Sequence, residues 1–296
     1  MKRAQRLINR EVCYIGFIQN IREIHPGMGL RKMYNQFEPE DIGRDAFIAL
    51  GLQAGFRLKA VTNPARTTFS IKSNRYPSLL EGKRFTDVNQ VWTSDITYFR
   101  FSTQNSAQNS AQGNTQNGLP FSRFYYIVLI MDVYSRRIIG YSLADNMRAE
   151  NNIKALRMAL QLRGIENYEG KLIHHSDRGS QYISNDYTNL LEDYGIQISM
   201  CSNVLENAHI ERANGTIKNE YLHRWSIQSV YQLKQRVKQA VKSYNNRLHN
   251  SIGKTPIEFE KFIQQIPKNE RRVLELFIYN KYNFFDENKN QLVLNF

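Results

Sequence analysis

The sequence predicts an α/β fold: a mixed five-stranded sheet flanked by helices, with a small helical module before it and a helical tail after it. Two observations predict this. Runs rich in β-branched and aromatic residues alternate with runs of helical period, in the order β-β-β-α-β-α-β-α. The segments on either side of that series carry helical periods and most of the positive charge.

The helical module is expected over residues 1–56. Its opening, "MKRAQRLINREVCYIGF", is basic and helical in flavour and lacks a small-residue cleavage site after an apolar core. "HPGMGLRKMYNQF" places Leu30, Met33, Tyr34 and Phe37 at helical spacing, and "EPEDIG" breaks the pattern with Pro39 and Gly43. "RDAFIALGLQAG" resumes it with Phe47, Leu50 and Leu52 inward, and Gly55 stops it. Two short helices about a tight turn, followed by basic residues, suggest a helix-turn-helix. Residues 57–87 then read as an extended basic linker.

The sheet is expected within 88–225. "VNQVWTSDITYFRF" is the first strand, and "FYYIVLIMD" and "RRIIGYSLA" complete an antiparallel meander. The first hairpin is interrupted by "STQNSAQNSAQGNTQNG", a polar low-complexity insertion at 102–118 with no core-forming residues. "AENNIKALRMALQLRG" is a helix with Ile153, Leu156 and Leu160 on one face and Gly164 at its end. "GKLIHHSD" is a short buried strand. "SNDYTNLLEDYG" is a helix with Ser184 as N-cap and Tyr187, Leu190, Leu191 and Tyr194 inward. "IQISM" is the fifth strand, and the helix "ENAHIERANGTIKNEYLHR" carries Ile210, Ala213, Ile217 and Tyr221 in one stripe. Three meandering strands continuing into alternating helices and strands form a ribonuclease H-like arrangement. Residues 226–296 read as a basic helical extension, in which Val230, Leu233, Val237, Val241 and Tyr244 form the packing stripe.

Composition narrows the function. The net charge is +13, and two segments account for essentially the entire excess: Gly55–Arg84 at +6 and Arg212–Lys254 at +8. Charge concentrated in two blocks points to a polyanion, most simply nucleic acid. Lys234, Lys238 and Lys242 recur every four residues on one helical face, a phosphate-contacting pattern, and Arg212 and Arg44 are further candidate DNA contacts. No apolar run reaches the roughly 18 residues of a membrane span, so a cytoplasmic, nucleoid-associated protein is expected. The only cysteines are Cys13 and Cys201, with no CxxC, so neither a disulfide framework nor a structural zinc is indicated.

The chemistry sits on three acids. Asp95 lies mid-strand with Thr93 and Thr97 on one side, opposite Trp92, Ser94 and Ile96. Asp177 closes the fourth strand, which neighbours the first in a ribonuclease H-like sheet. The third acid is Glu206 or Glu211, both on the last helix of the core. Glu206 stands at the helix start, where an acid serves the macrodipole, so Glu211 is the choice, with Lys218 two turns along the same face. Crowded carboxylates stay ionised only with cations between them. Hard oxygen donors suit Mg²⁺ or Mn²⁺, and two such ions can bind the attacking and leaving oxygens of an in-line phosphoryl displacement. Lys218 would meet a DNA phosphate as a point charge. Other residues read as structural: Asp132 shaping a turn, His174 and His175 as core or hydrogen-bonding residues, Trp92 and Tyr98 as sheet packing.

Taken in order, "WTSDITY", "MDVYSRRIIGYSL", "HHSDRGSQYIS", "ENAHIERANGTIKNEY" and "YNNRLHNSIGKTPIEF" resemble the integrase-type catalytic core of bacterial insertion-sequence transposases. "HPGMGLRKMY…GRDAFIALGLQAGFRL" resembles the helix-turn-helix that precedes it. The resemblance implies catalytic, metal-binding Asp95, Asp177 and Glu211, Mg²⁺-dependent cleavage at element ends, and joining of the freed 3′-hydroxyl to another phosphodiester. It implies no nucleotide cofactor. It also implies homo-oligomers holding two DNA ends, and the upstream reading-frame product as a further partner. The chain departs from the family pattern at Glu206-Asn207-Ala208, where Asp-Asn-Ala is usual, and in a shorter preceding loop. Two alternatives stay open: a host nuclease of the same fold, and a non-enzymatic DNA-binding derivative of a transposase.

Overall fold

A computed structural model describes residues 2–61, 76–102, 122–202 and 204–276. The expected insertion at 102–118, Ser102 apart, lies outside the described residues, as do positions 62–75 of the basic linker and 277–296 of the tail.

Three helices open the chain: α1 (Lys2–Ile24), α2 (Leu30–Phe37) and α3 (Arg44–Gln53). The His25-Pro26-Gly27 sequence ends α1, since Pro disfavours helical geometry at the residue before it. α2 stops at Glu38, left-handed at φ 40°, whose N–H reaches Tyr34 O, and Pro39 follows. α3 stops before Gly55, at φ 82° as expected of a helix-ending glycine. Tyr14, Ile18 and Ile21 of α1 pack with Leu30, Met33 and Phe47. Leu52, expected inward, is instead exposed. The inward row runs Phe47–Gly51, where an added Cβ would fall 2.7 Å from Leu30 Cδ1. A glycine fills a core position there, and hydrophobic periodicity cannot register it.

The core follows the expected order. After the two-residue β1 (Arg84–Phe85) come β2 (Val91–Ser102), β3 (Ser122–Asp132), β4 (Ile138–Ala144), α4 (Ala149–Arg163), β5 (Ile173–Ser176), α5 (Ser180–Ile183), α6 (Asn185–Asp193), β6 (Gln197–Met200) and α7 (Ala208–Thr216). The sheet order is β4-β3-β2-β5-β6, with β2–β4 antiparallel and β5 and β6 parallel to β2. This is the ribonuclease H-like mixed sheet with helices on both faces. Period-two alternation divides β2: Trp92 and Ile96 join the cluster under α4 and α6, while Phe99 and Phe101 join the one under α7. α4 ends at Gly164, left-handed at φ 62°. Ser184 does stand at the N-cap of α6, but its hydroxyl donates to Gln181 O of the unforeseen one-turn α5.

Beyond α7 the helical path continues through a π turn, Ile217–Tyr221, and a 3₁₀ turn. α8 (Val230–Asn245) lays Leu233, Val237, Val241 and Tyr244 onto the α7 side of the sheet. α9 (Pro256–Gln264) begins with a capping box between Thr255 and Glu258 and with Pro at its first turn. The chain then returns as β7 (Leu274–Glu275), antiparallel to β1. The N-terminal helices dock on the π turn. His25 Nδ1 lies 2.9 Å from the Tyr221 hydroxyl, Lys32 pairs with Glu220 at 3.1 Å, and Gly27 packs so closely that a Cβ would fall 2.3 Å from Glu220 Cα.

Candidate active site

Strand register brings the two aspartates together. Ser94 of β2 pairs with Ser176 of the parallel β5, and Asp95 and Asp177 are the next residue on each chain. Adjacent strands lie about 4.8 Å apart, so the two carboxyls share one edge of the sheet. Asp95 is half-buried on the α7 side. Asp177, also half-buried, accepts the Gly179 N–H at 3.0 Å and so also shapes the turn into α5.

α7 supplies the rest. Ile210, Ala213 and Ile217 face the core as the stripe predicts, and this orientation turns Asn214 onto Asp95. Asn214 Nδ2 donates to Asp95 Oδ2 at 2.8 Å. Residues i and i+3 are neighbours on a helix, so Glu211 stands one turn from the residue that touches Asp95. Glu211 itself is exposed. Among the described residues the three acids do not close to within 4.8 Å of one another. Charge still couples them: burial first, then Asp177, then Glu211 push Asp95 up to about 7 from 3.8, against the Ile96 N–H and Asn214. Asp177 is likewise raised by burial. Three acids in one field, with only oxygen donors, fit a hard divalent cation.

Lys218, in the π turn, has its ammonium 5.1 Å from the centroid of the Tyr98 ring. Burial draws Lys218 below the ordinary lysine value while the charge of Asp95 opposes it, so the cation lies within the field of the acids. Tyr98, expected as packing alone, thus also seats this lysine. Arg212, Lys234, Lys238 and Lys242 are exposed, and none of them forms a salt bridge among the described residues. Arg44 opens α3 as expected and pairs with Asp45 at 3.0 Å. The second basic segment is not all free surface: Arg247 is buried and held by Glu220 at 2.6 Å.

Asp132, Trp92 and His174, read as structural, are buried and engaged within the core. Asp132 is fully buried; it accepts the Tyr134 and Ser135 N–H groups on Oδ1, and the Asn89 N–H and Arg163 on Oδ2. Trp92 is buried against Tyr168. His174 Nε2 meets the Tyr187 hydroxyl at 2.9 Å. Glu206, the acid passed over, is buried and turned towards Cys201 and His175 rather than the aspartates. Burial lowers His175 to about 4 and raises the Cys201 thiol, with Glu206 adding to the latter.

Sequence reasoning missed Asn214, because an amide inside an amphipathic helix reads as surface; its signal was the i+3 spacing from Glu211. Replacing Asn214 by Ala is expected to free the Asp95 carboxyl and lower activity about 10–100-fold, as for partners of ligating groups generally. Steady-state rates alongside an unchanged circular dichroism spectrum check this.

The integrase core domain family matches residues 86–203, and a second integrase core domain family matches residues 194–256. The 31 kDa protein of insertion element IS600 from Shigella sonnei is 31% identical over 246 residues, covering 80% of this chain and 82% of the relative. The transposase of insertion sequence element IS629 from the same organism is 30% identical over 243 residues, covering 79% and 73%. Among solved structures, the HTLV-2 integrase catalytic core in complex with magnesium matches at 19% identity and a TM-score of 0.40, covering 62% of this chain and 99% of that one.

Proposed function

This chain belongs to the integrase-core transposases of bacterial insertion sequences, and on that premise we propose that Asp95, Asp177 and Glu211 are the acids with which it cuts and joins DNA. It is a transposase, a polynucleotidyl transferase acting at the ends of an insertion element. The observation that carries the site assignment is the Ser94–Ser176 register together with the Asn214–Asp95 hydrogen bond, which set two strands and one helix face around a single point.

Asp95 and Asp177 would hold a divalent cation, Mg²⁺ or Mn²⁺, with the exposed Glu211 on its three rotatable bonds as the third oxygen donor. Two ions per site, when bound, supply charge neutralisation and Lewis acidity to the oxygens that attack and leave phosphorus. Asn214 keeps Asp95 oriented. Lys218, braced on Tyr98, binds a phosphate beside the acids. Arg212 and the row Lys234, Lys238 and Lys242 extend the binding surface along the DNA backbone. In the first step water displaces a 3′-oxygen at phosphorus; in the second, that freed 3′-hydroxyl displaces another, each step breaking one P–O bond as it makes one. Two ends held together require an oligomer, with a helix-turn-helix contribution from α2, α3 and Arg44. The upstream reading-frame product is a further proposed partner. Among the described residues no helix is long and apolar enough to cross a membrane.

A strand-transfer assay on pre-cut oligonucleotide ends tests the reading: joined products with Mg²⁺ support it, and hydrolysis of RNA–DNA hybrid without joining would replace it by the nuclease reading.

Electrostatics adds a pH test. A carboxyl raised on folding keeps its proton longer in the folded than in the unfolded chain, so its contribution is full below about pH 3.8 and lost as the pH rises to about 7. The melting temperature without metal is therefore expected to fall across that window, and less in Asp95→Asn, with Mg²⁺ restoring the wild type above pH 7. A pH-independent difference between the two proteins would contradict the shared field.

Charge-neutral replacement of Lys234, Lys238 and Lys242 together is expected to reduce the slope of log K against log salt by about 0.9 for each DNA phosphate that is no longer neutralised. Binding measured at several salt concentrations reads this directly, and an unchanged slope removes α8 from the interface.

A further inference from the structure

One cluster of ligating side chains lies beside the acid site, close enough that Asp177, Asp95 and Glu211 all add to the rise of the Cys201 thiol, but draws on a different set of donors. His175 of β5 is fully buried, Cys201 follows β6 directly, and Glu206 is buried in the 3₁₀ turn leading into α7. Cys201 Sγ stands 3.1 Å from His175 Nε2, Glu206 Oε2 stands 3.7 Å from the same nitrogen, and all three ligand atoms lie within 4.8 Å of one another. The far side of the ring is already engaged: His175 Nδ1 lies 2.8 Å from Ser199 Oγ, which also accepts the Leu79 N–H. With Nδ1 carrying the proton towards Ser199, the Nε2 lone pair points at the cysteine and the glutamate. Glu206 is held in turn, since Oε2 accepts the Ser202 N–H at 2.9 Å.

A hydrogen-bonded triad is a weaker account of this arrangement. The Glu206–His175 separation of 3.7 Å is too long for a hydrogen bond, which leaves a buried carboxylate facing a ring nitrogen with no proton shared between them. One sulfur, one imidazole nitrogen and one carboxylate oxygen converging on a common point are the donor set of a borderline-soft, four-coordinate cation with one open position. Ser199 is the outer partner that fixes the histidine, as such sites require. The absence of a CxxC pattern hid the set in sequence, because its members come from β5, the end of β6 and the following turn.

We propose that His175, Cys201 and Glu206 form a zinc site, distinct from the all-oxygen acid site, that clips the end of β5 and the loop after β6 to the start of α7. Binding releases the Cys201 thiol proton to solvent as the Zn–S bond forms. The clip ties Cys201 and His175 to Glu206 and thereby to the stretch that presents Glu211. It does not rest on the assignment of Asp95, Asp177 and Glu211, which lie outside the donor set.

Cobalt(II) titration of the full chain is the test, since thiolate bound to Co²⁺ absorbs in the near ultraviolet. One equivalent is expected to give that band, and Zn²⁺ to displace it. Cys201→Ser is expected to abolish the band, while Cys13→Ser and Asp95→Asn keep it. Absence of the band in the wild type, its survival in Cys201→Ser, or its loss in Cys13→Ser or Asp95→Asn overturns the proposal. Wild-type protein gives an independent readout: Zn²⁺ is expected to slow alkylation of Cys201, followed by mass spectrometry, by roughly tenfold or more. Unchanged alkylation in the presence of Zn²⁺ also overturns it.

Discussion

Replacing Glu211 by Gln is expected to leave the fold intact and to lower strand cleavage and joining by roughly 10³-fold or more, the scale seen when a group that stabilises transition-state charge is removed. Glu211 is exposed, so the amide meets water and creates no buried unpaired group. Asp95→Asn is expected to cost activity as severely for a different structural reason. It keeps the shape that Asn214 holds but removes the charge, and without metal it relieves the burial cost, and the repulsion from Asp177 and Glu211, that push Asp95 up to about 7. The two variants therefore diverge in stability while agreeing in activity: Asp95→Asn melts higher than wild type above pH 7 without Mg²⁺, and Glu211→Gln changes far less. Activity retained in either variant would remove that residue from the chemistry.

Replacing Arg163 by Met is expected to lower stability by roughly 3–5 kcal/mol, the cost of breaking a buried ion network on one side. Arg163 donates to Asp132 at 3.2 Å and to Glu260 at 2.7 and 3.0 Å, and Arg137 reaches Glu260 at 2.5 Å. Ser135 donates to both acids, its N–H to Asp132 and its hydroxyl to Glu260. The network joins the end of β3, the last turn of α4 and the middle of α9, so it locks the C-terminal extension to the core. Burial pushes Glu260 up, but the hydrogen bonds and charge of Arg163, then Arg137, hold it below the ordinary value. A carboxyl lowered in this way stabilises fully above about pH 4.5 and loses its contribution as the pH falls through the lowered value. The Arg163→Met penalty is accordingly expected to be full at pH 7 and to shrink in acid, as urea midpoints at the two pH values would reveal. A penalty below about 1 kcal/mol would place the network with ordinary surface ion pairs.

The sheet was legible because its signal is long. Eleven paired positions run from Trp92–Asp132 to Ser102–Ser122, and alternation along such a strand fixes which side chains face which layer. The neighbouring placement of Asp95 and Asp177 was legible for that reason, and that of Glu211 one turn from Asn214 because the Ile210, Ala213 and Ile217 stripe orients its helix. Shorter features left no trace. β1 and β7 are two residues each, too few for a period, and they pair across the whole core. The π turn that carries Lys218 and Glu220 follows helical spacing closely enough to read as plain α-helix. Gly51 and Gly27 hold packing positions through the side chain they lack. His175, Cys201 and Glu206 meet only because parallel pairing sets His175 opposite Ser199, two residues before Cys201.

A crystal of the protein grown with Mn²⁺ and measured at a wavelength giving its anomalous signal tests the central claim most directly. Peaks are expected between Asp95 and Asp177, with the Glu211 carboxylate turned inward to coordinate and Asn214 still on Asp95. Manganese bound elsewhere, or bound between the aspartates with Glu211 still facing solvent and its place taken by another acid, would contradict the assignment.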